Sequence, residues 1–399
     1  MEAATLKYFE EFDDKTVAHY NKKADEYFVH FANGEFEKNK PFGNHVEAAM
    51  ISYQMGLLLS GAKIGRAQKI MEIGPGAGWL SSMIHRLGNE VFLLETSDAA
   101  LTMAKELFAM DARNSVHSMG PHFLTYDGYR FPLEDNSIDR ILCFDALHHI
   151  PNPGHIFSEM YRVLRSGGVV GFAESGEDHA MRPAIIDCVG KTGILERSTS
   201  LSDIQYLAKK AGFSKVTVKA FPLVSDWEIT LPDYHQAVKQ GKSPVDANKI
   251  DEANQVGDQT LFFLYKDHFQ FNCKYPNKPL SALHMENTVI QARRGAVTLM
   301  DVTVANTGDT TLNHEDHPLG GFAMVGAHLL QEGKLLDYDF FQHALDKSIC
   351  PGETITQTLQ FLAPKQSGVY HLELDIVIKG VKWLQLDGAK TVNVTLIVE

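Results

Sequence analysis

The sequence predicts an α/β domain built on a doubly wound parallel sheet, followed by an all-β domain. Between about residues 69 and 175, short β-branched or aromatic runs alternate with segments of helical spacing, as is typical of βαβ units. Beyond about residue 275 the helical spacing stops, and apolar and polar residues alternate between regular turn signals. We therefore expect a Rossmann-like domain at residues 1–272 and an immunoglobulin-like β-sandwich at residues 280–399.

Length, charge and cysteine content exclude several classes of protein. A chain of 399 residues exceeds the usual size of one hydrophobic core, which also favours two domains. A net charge of −13 argues against a nucleic-acid partner, since nucleic acid requires a basic face. The acidic N-terminus is no signal peptide, and no apolar run approaches the roughly 20 residues of a membrane span. The four cysteines form no C-x-x-C pair, so we expect free thiols and a cytoplasmic protein.

Local patterns place the elements of the first domain. Helical spacing from about residue 15 to 60 predicts two helices separated by a turn at "KPFGN". Strands are predicted at "KIMEIG", "EVFLLET", "RILCFDA" and "VVGFAES". The helix before the last of these strands ends in Gly167 and Gly168, which predicts a left-handed cap there. Two further strands, at "SKVTVKAFPLV" and "TLFFLYK", complete the edge of the sheet.

Strict alternation of apolar and polar residues defines the second domain. The strands are predicted at "AVTLMDVTVANTGD", "PGETITQTLQFLA", "SGVYHLELDIVIKG" and "KTVNVTLIVE". In the third of these, Tyr370, Leu372, Leu374 and Ile376 form one apolar face. The segment 271–281 is the expected linker.

The stretch "MEIGPGAGWL" places Gly74, Gly76 and Gly78 directly after the first strand. A nicotinamide-binding loop requires a third glycine at the position that Trp79 occupies here. A P-loop requires Gly-Lys-Ser/Thr, which this stretch lacks. What remains is a strand that carries Glu72, then the three alternating glycines, then a helix.

Acidic residues follow three successive strands. Glu72 closes the first strand and Glu95 the second, where a carboxylate can accept both hydroxyls of a ribose. Asp127 comes after the third strand, and we expect it beside the adenine, accepting from the exocyclic amine. Together the three acids would surround one adenosine.

These motifs, in this order, resemble the class I S-adenosylmethionine-dependent methyltransferases over roughly residues 15–270. "EIGPGAG" is similar to their first motif, "LLETS" to the ribose acid, "YDGYRFPLEDNSID" to the adenine loop and "LCFDALHHIPNPGHIFSEMYRVLRSGG" to the fourth strand and following helix. The resemblance implies S-adenosylmethionine as cofactor and an N-terminal helical lid, with Tyr20 reaching the methionine carboxylate. The implied cofactor-binding residues are Tyr20, Glu72, Gly74, Gly76, Gly78, Glu95, Thr96, Asp127, Gly128 and Phe144.

The methyl acceptor is expected to be an oxygen, because the chain lacks the N-P-P-Y/F element that related enzymes use for amino groups of bases. Transfer to a hydroxyl needs a base, and histidine suits that role because its ordinary pKa lies near neutral pH. His149 is the first candidate, since several sugar methyltransferases place their base at the corresponding position. His148, Glu174 and His179 are the further candidates. A metal stays an open alternative, because some sugar methyltransferases use magnesium, but no carboxylate cluster has the ligand spacing that demands one, and no metal ligand is assigned.

The segment "GFAESGEDHAMRPAIIDCVGKTGILERSTSLSDIQYLAKKAGF" resembles enzymes associated with bacterial polysaccharide gene sets, where a histidine and "GxLE" follow the glutamate, although Ser175 replaces their usual proline. The C-terminal region resembles carbohydrate-binding modules of glycan exporters, with Trp383, Tyr338 and Phe340 as candidate aromatic contacts. "WLQLDG" departs from the usual Trp-Phe pair of such modules.

The sequence therefore predicts an O-methyltransferase that acts on a sugar hydroxyl of a glycan or nucleotide-sugar in surface polysaccharide biosynthesis. The sandwich would serve either acceptor recognition or formation of a homo-oligomer. Two alternatives remain open: a methyltransferase of a small natural product or lipid-linked acceptor, and a non-catalytic glycan-binding protein that retains the cofactor fold.

Overall fold

The computed structural model describes residues 6–115, 119–219, 230–242 and 259–399. The chain divides into two compact units, one formed by Met1–Ile64, Lys69–Arg86 and Glu90–Phe269, the other by Gly65–Gln68, Leu87–Asn89 and Gln270–Glu399. The described elements of the first unit are α1 (Asp14–His30), α2 (Gly34–Asn39), α3 (His45–Gly61), β1 (Lys69–Ile73), α4 (Trp79–Arg86), β2 (Glu90–Glu95), α5 (Asp98–Met110), β3 (His122–Thr125), β4 (Ile138–Phe144), α6 (Pro153–Val163), β5 (Leu164–Ser175), α7 (Pro183–Thr192), α8 (Leu201–Ala211), β6 (Lys215–Val218), α9 (Leu231–Lys239) and β7 (Gln259–Tyr265).

The first unit has one seven-stranded sheet in the order β3-β2-β1-β4-β5-β7-β6. The strands β1 to β5 pair in parallel, whereas β7 runs antiparallel to both β5 and β6. The predicted Rossmann-like fold is confirmed, as is the pair of late strands that completes the edge. In such a sheet the strand order reverses between β1 and β4, and the crevice beyond their carboxyl ends is where ligands bind.

Both faces of this sheet are covered, which explains why its central strands are apolar almost throughout. One face packs against α3, α4 and α5 through Leu58, Leu80 and Leu101. The other face packs against α6 and α8 through Phe157 and Ile204. The sheet is therefore a rigid support for the loops at its carboxyl edge.

The helix α1 is held across the loops that follow β2 and β3. The side chain of Asp13 caps α1 by accepting from the backbone N–H of Thr16 at 2.8 Å. Asp25 accepts from the Ser97 hydroxyl at 2.8 Å, and Asn21 donates to the Asp127 carbonyl at 3.0 Å. These bonds place the predicted N-terminal lid over the carboxyl edge of the sheet.

One local prediction is wrong, and part of another concerns residues outside the described ranges. The predicted left-handed helix cap at Gly167 and Gly168 is wrong, because α6 ends at Val163 and Gly167 (φ 74°) lies within β5. The chain leaves the helix earlier because Leu164, whose backbone is extended, is buried and begins β5. Of the predicted strand at 214–224, residues 215–218 form β6 and 220–224 lie outside the described residues.

The second unit consists of two sheets. Its strands are β8 (Ser281–His284), β9 (Val289–Ala292), β10 (Val297–Asn306), β11 (Ala323–Gln331), β12 (Lys334–Ala344), β13 (Thr354–Leu362), β14 (Gly368–Ile378), β15 (Lys382–Trp383) and β16 (Val392–Val398). One sheet has the order β13-β10-β8 and the other β12-β11-β14-β16-β9, with β15 paired to β14. Residues of both sheets share one apolar core, which includes Val302 and Leu359 from one and Leu372 and Leu374 from the other. The predicted β-sandwich is confirmed.

The three aromatic side chains proposed for sugar contact lie in different environments. Trp383 is only 6% exposed and packs against His328, with ring centroids 4.2 Å apart. Phe340 is half-buried beside Phe361, whereas Tyr338 is 46% exposed. The geometry favours a core role for Trp383. Across the described residues, no helix has the length and apolar character needed to cross a membrane.

Gly78→Ala tests the packing of the glycine turn on the sheet. Gly78 has φ +80°, and a Cβ there would lie 2.9 Å from the Ala104 Cβ and 3.1 Å from Leu93. We expect the variant to lower the free energy of unfolding by about 1–3 kcal/mol, through backbone strain and overpacking. Urea unfolding followed by far-UV circular dichroism reports on this unit, because the described α-helices all lie in it.

Gly56→Ala is the matched control. Gly56 is exposed within α3 and a Cβ there meets nothing within 4 Å, so alanine should stabilise by about 0.5–1 kcal/mol. Equal effects of the two substitutions would contradict the packing argument.

Candidate functional site

A cavity of about 760 Å³ lies beyond the carboxyl ends of β1, β2 and β4 and beneath the N-terminal helices. The predicted site residues that line it are Tyr20, Glu72, Gly74, Gly76, Glu95, Thr96, Gly128, Phe144 and His149. The predicted residues that do not line it are Gly78, Asp127, His148, Glu174 and His179. The cavity therefore brings together most of the predicted cofactor-binding set.

The glycine turn approaches the loop after β4 so closely that a side chain would not fit. Gly74 (φ 63°) donates its N–H to the Leu94 carbonyl at 3.0 Å, and a Cβ on it would lie 2.5 Å from the Ala146 Cβ. Gly76 (φ 53°) opens onto the cavity. Trp79, at the start of α4, packs edge-on against Phe144 with ring centroids 5.3 Å apart. Gly74 and Gly76 thus present backbone to a ligand, and Pro75 and Trp79 line the cavity beside them.

Glu95 holds the loop after β2 to the glycine turn. One carboxylate oxygen accepts from the N–H groups of Thr96 at 2.8 Å and Ser97 at 3.2 Å, and the other from Gly76 at 3.4 Å. Burial raises the pKa of Glu95, although these backbone donors act to lower it. A carboxylate fixed in this way, with an oxygen toward the cavity, suits a pair of neighbouring hydroxyls.

Glu72 lies at the end of β1, buried, and accepts a hydrogen bond from the Ser81 hydroxyl of α4. Burial raises the pKa of this carboxyl to about 8, while the bond from Ser81 acts in the opposite direction. In the ligand-free protein Glu72 therefore carries its proton over much of the neutral range.

Contrary to expectation, Asp127 does not reach the cavity. Its exposed side chain accepts from the N–H groups of Tyr129 at 2.8 Å and Arg130 at 3.1 Å, as aspartates at the start of turns do. Tyr126 and Gly128, on either side of it, line the cavity instead.

The loop after β4 is fixed by Glu174 of β5. One oxygen of this buried carboxylate accepts from the N–H groups of Ala146 at 3.0 Å and Leu147 at 2.9 Å, and the other lies 2.7 Å from His148 Nδ1. His148 is 3% exposed, and burial together with the neighbouring His149 lowers its pKa to about 3. The pattern assigns a neutral imidazole that donates from Nδ1 to Glu174.

Among the four predicted catalytic residues, His149 is the one that lines the cavity. Its side chain is 37% exposed, and its Nδ1 lies 2.6 Å from the Leu195 carbonyl. Because a carbonyl only accepts, Nδ1 carries a proton, and in the neutral imidazole Nε2 then keeps its lone pair. This tautomer can accept a proton at Nε2.

Glu196 was not predicted as a site residue, yet it lines the cavity with a side chain that is only 6% exposed. Its Oε2 accepts from His179 Nε2 at 2.8 Å and lies 3.5 Å from His148 Nε2 and 3.9 Å from His149 Nδ1. The sequence similarity at "GxLE" ends at Glu196, and this similarity was the signal from which the residue could have been predicted. Asp145 and Arg182 also line the cavity.

Glu72→Gln tests the buried carboxyl through the pH dependence of stability. Between the ordinary value of 4.5 and about 8, the folded chain binds more protons at this position than the unfolded chain. Stability of the ligand-free protein contributed by Glu72 therefore falls as the pH rises through that window. We therefore expect the melting temperature of Glu72→Gln, relative to that of the wild type, to rise as the pH increases from about 5 to about 8. The exposed Glu134→Gln is the control, and a slope unchanged by Glu72→Gln would contradict the assignment.

The chain is similar to methyltransferases with different acceptors. It is 25% identical over 213 residues to a malonyl-[acyl-carrier protein] O-methyltransferase of Marinomonas sp. (strain MWYL1), covering 45% of this chain and 76% of that protein. It is 26% identical over 166 residues to a sterol 24-C-methyltransferase of Saccharomyces cerevisiae, covering 41% and 42%. It is also 26% identical over 153 residues to phosphoethanolamine N-methyltransferase 2 of Caenorhabditis elegans, covering 37% and 33%. The chain thus spans less than half the length of the last two relatives.

Solved structures similar to this chain include an S-adenosylmethionine-dependent methyltransferase from Mesorhizobium loti. That structure has 17% identity and a TM-score of 0.40, covering 54% of this chain and 97% of that one. Another is phosphoethanolamine N-methyltransferase 2 of Haemonchus contortus in complex with S-adenosylhomocysteine, with 19% identity and a TM-score of 0.42, covering 62% and 61%.

Residues 71–172 match the family model of the methyltransferase domain. The match runs from β1 to β5 and includes the glycine turn, Glu95 and the loop that carries His148 and His149. The strand order of the sheet and the position of the cavity agree with this match. The chain therefore carries a class I S-adenosylmethionine-dependent methyltransferase domain.

Proposed function

We propose that the chain transfers the methyl group of S-adenosylmethionine to an oxygen, and that its acceptor is a sugar hydroxyl of a glycan or nucleotide-sugar. The observation that carries the proposal is His149, a cavity-lining imidazole whose Nδ1 is 2.6 Å from the Leu195 carbonyl. That bond leaves Nε2 as the proton acceptor that a hydroxyl substrate needs.

The cofactor would lie along the carboxyl edge of the sheet. Glu95 would accept the two ribose hydroxyls, and the backbone at Gly74 and Gly76 would allow the methionine part to approach closely. Tyr126 and Phe144 supply apolar walls for the adenine. Tyr20 of α1 also lines the cavity, which supports its assignment to the methionine carboxylate.

The proposed step is a single in-line displacement. A lone pair on the acceptor oxygen attacks the methyl carbon, the carbon–sulfur bond breaks, and its electron pair remains on sulfur as a neutral thioether. The hydroxyl proton passes to His149 Nε2. The imidazolium that forms is oriented by the Leu195 carbonyl and stabilised by Glu196, 3.9 Å from its Nδ1.

The acceptor class rests on this chain's own cavity, because the relatives act on different atoms. Beyond the predicted cofactor-binding residues, the cavity lining combines apolar side chains such as Phe28, Met50 and Ile51 with the hydrogen-bonding side chains Glu37, Lys40, Glu47, Gln54, Arg182 and Glu196. A sugar has several hydroxyls that both donate and accept, so it suits such a lining.

The alternatives differ in a direct assay. Purified full-length protein is incubated with methyl-labelled S-adenosylmethionine and a panel of nucleotide-sugars, glycans and lipid-linked acceptors. Label in a sugar ether supports the proposal. Label only in a non-sugar acceptor, or glycan binding without any transfer, contradicts it.

Glu95→Ala tests the ribose assignment. We expect S-adenosylmethionine to bind more weakly by about 1–3 kcal/mol in calorimetry, the range for lost charge-assisted hydrogen bonds. Asp127→Asn is the control, because Asp127 caps a turn outside the cavity and asparagine can keep that cap. Unchanged affinity in Glu95→Ala would remove Glu95 from the site.

His149→Ala tests the base. We expect turnover to fall about 10²–10⁴-fold with cofactor affinity intact, and added imidazole to restore part of the rate. His155→Ala, an exposed histidine on α6, should leave turnover unchanged. Near-normal turnover in His149→Ala would assign proton removal to another group, with Glu196 the next candidate.

A further inference from the structure

We infer that His148 and Glu196 bind a divalent first-row transition ion, such as zinc, beside His149. One ring nitrogen of His148, one ring nitrogen of His149 and one carboxylate oxygen of Glu196 lie within 4.8 Å of one another. Imidazole nitrogen and carboxylate oxygen together favour zinc or a similar ion over magnesium or calcium, which prefer ligand sets made of oxygen. Glu196 lines the cavity, so an ion bound to it is accessible to a ligand.

The spacing of the two donor atoms fits a shared ion. His148 Nε2 and Glu196 Oε2 are 3.5 Å apart, and both side chains are almost fully buried. Two ligands at about 2.0–2.2 Å from one tetrahedral ion are separated by roughly 3.3–3.6 Å. A nitrogen lone pair and a carboxylate facing each other at this distance repel, and a cation between them removes that repulsion.

Each of these side chains also has the outer partner that metal ligands require. Histidines that bind a metal donate their second N–H to a carboxylate or a backbone carbonyl, and ligating carboxylates are hydrogen-bonded in turn. His148 donates from Nδ1 to Glu174 at 2.7 Å, which directs Nε2 toward Glu196. Glu196 accepts from His179 Nε2 at 2.8 Å. Both ligands are therefore oriented before any ion arrives.

His149 stands next to this pair and is not counted among its ligands. Its Nδ1 is 3.9 Å from Glu196 Oε2 and is occupied by the Leu195 carbonyl. For a catalytic use of the ion, an acceptor oxygen bound to it would also have to reach His149 Nε2. The ion would polarise the hydroxyl, and His149 would take its proton. This catalytic use depends on the proposed transfer to oxygen, whereas binding of the ion does not.

The test is ion binding by the full-length protein, without an acceptor. Protein stripped with a chelator is titrated with Co²⁺, whose visible absorption reports nitrogen and oxygen ligation, and Zn²⁺ is then added as a competitor. We expect one equivalent of Co²⁺ to bind, to be displaced by Zn²⁺ and to resist excess Mg²⁺. In Glu196→Gln and His148→Asn we expect Co²⁺ affinity to fall at least about 10-fold.

The controls separate ligand loss from misfolding. Glu196→Gln keeps the size of the side chain, and its affinity for S-adenosylmethionine in calorimetry should stay within about threefold of the wild type. His155→Ala removes an exposed histidine outside the cluster and should bind Co²⁺ as the wild type does. No Co²⁺ band in the wild type, or equal affinity in a folded Glu196→Gln, would overturn the inference. Failure of the proposed function has a different signature, namely bound Co²⁺ with no methyl transfer to any oxygen acceptor.

Discussion

The buried carboxylate of Glu174 is the constraint on which the site depends. By accepting from the N–H groups of Ala146 and Leu147 and from His148 Nδ1, it ties β5 to the loop after β4. The same loop holds Asp145 at φ 51° and places the Ala146 Cβ 2.5 Å from where a Cβ on Gly74 would lie. The loop after β4 therefore both contacts the glycine turn and carries the two histidines, His148 and His149. Glu174 is not among the residues that line the cavity, so we propose that it positions the loop and does not remove the proton.

The sequence could predict the sheet because alternation of buried strands and amphipathic helices is a local property of the chain. The run "EVFLLE" is buried at every position in β2, as a strand covered on both faces must be. The glycine turn was also predictable, since Trp79 excludes a dinucleotide from the sequence alone and the structure places that ring against Phe144. Glu95 followed from its position at the end of β2.

The remaining features depend on competition between nearby partners or on long-range contacts. Asp127 has the right position at the end of a strand, but two backbone N–H groups in the following turn capture its side chain. Glu196 lies far from His148 in sequence and meets it only after α7 is folded, so no spacing rule identifies the pair.

The distribution of acidic groups in the cavity matches the movement of charge in methyl transfer. S-adenosylmethionine carries a positive sulfonium, and the buried carboxylate of Glu95 lines the part of the cavity proposed for the cofactor. On transfer the sulfur would become neutral, so its attraction to that acid would decrease. In the proposed transfer to oxygen, the positive charge would pass to His149, whose Nδ1 lies 3.9 Å from Glu196 Oε2. An acid would then lie near the positive charge where it begins and where it finishes, and the low dielectric of the cavity would strengthen both effects.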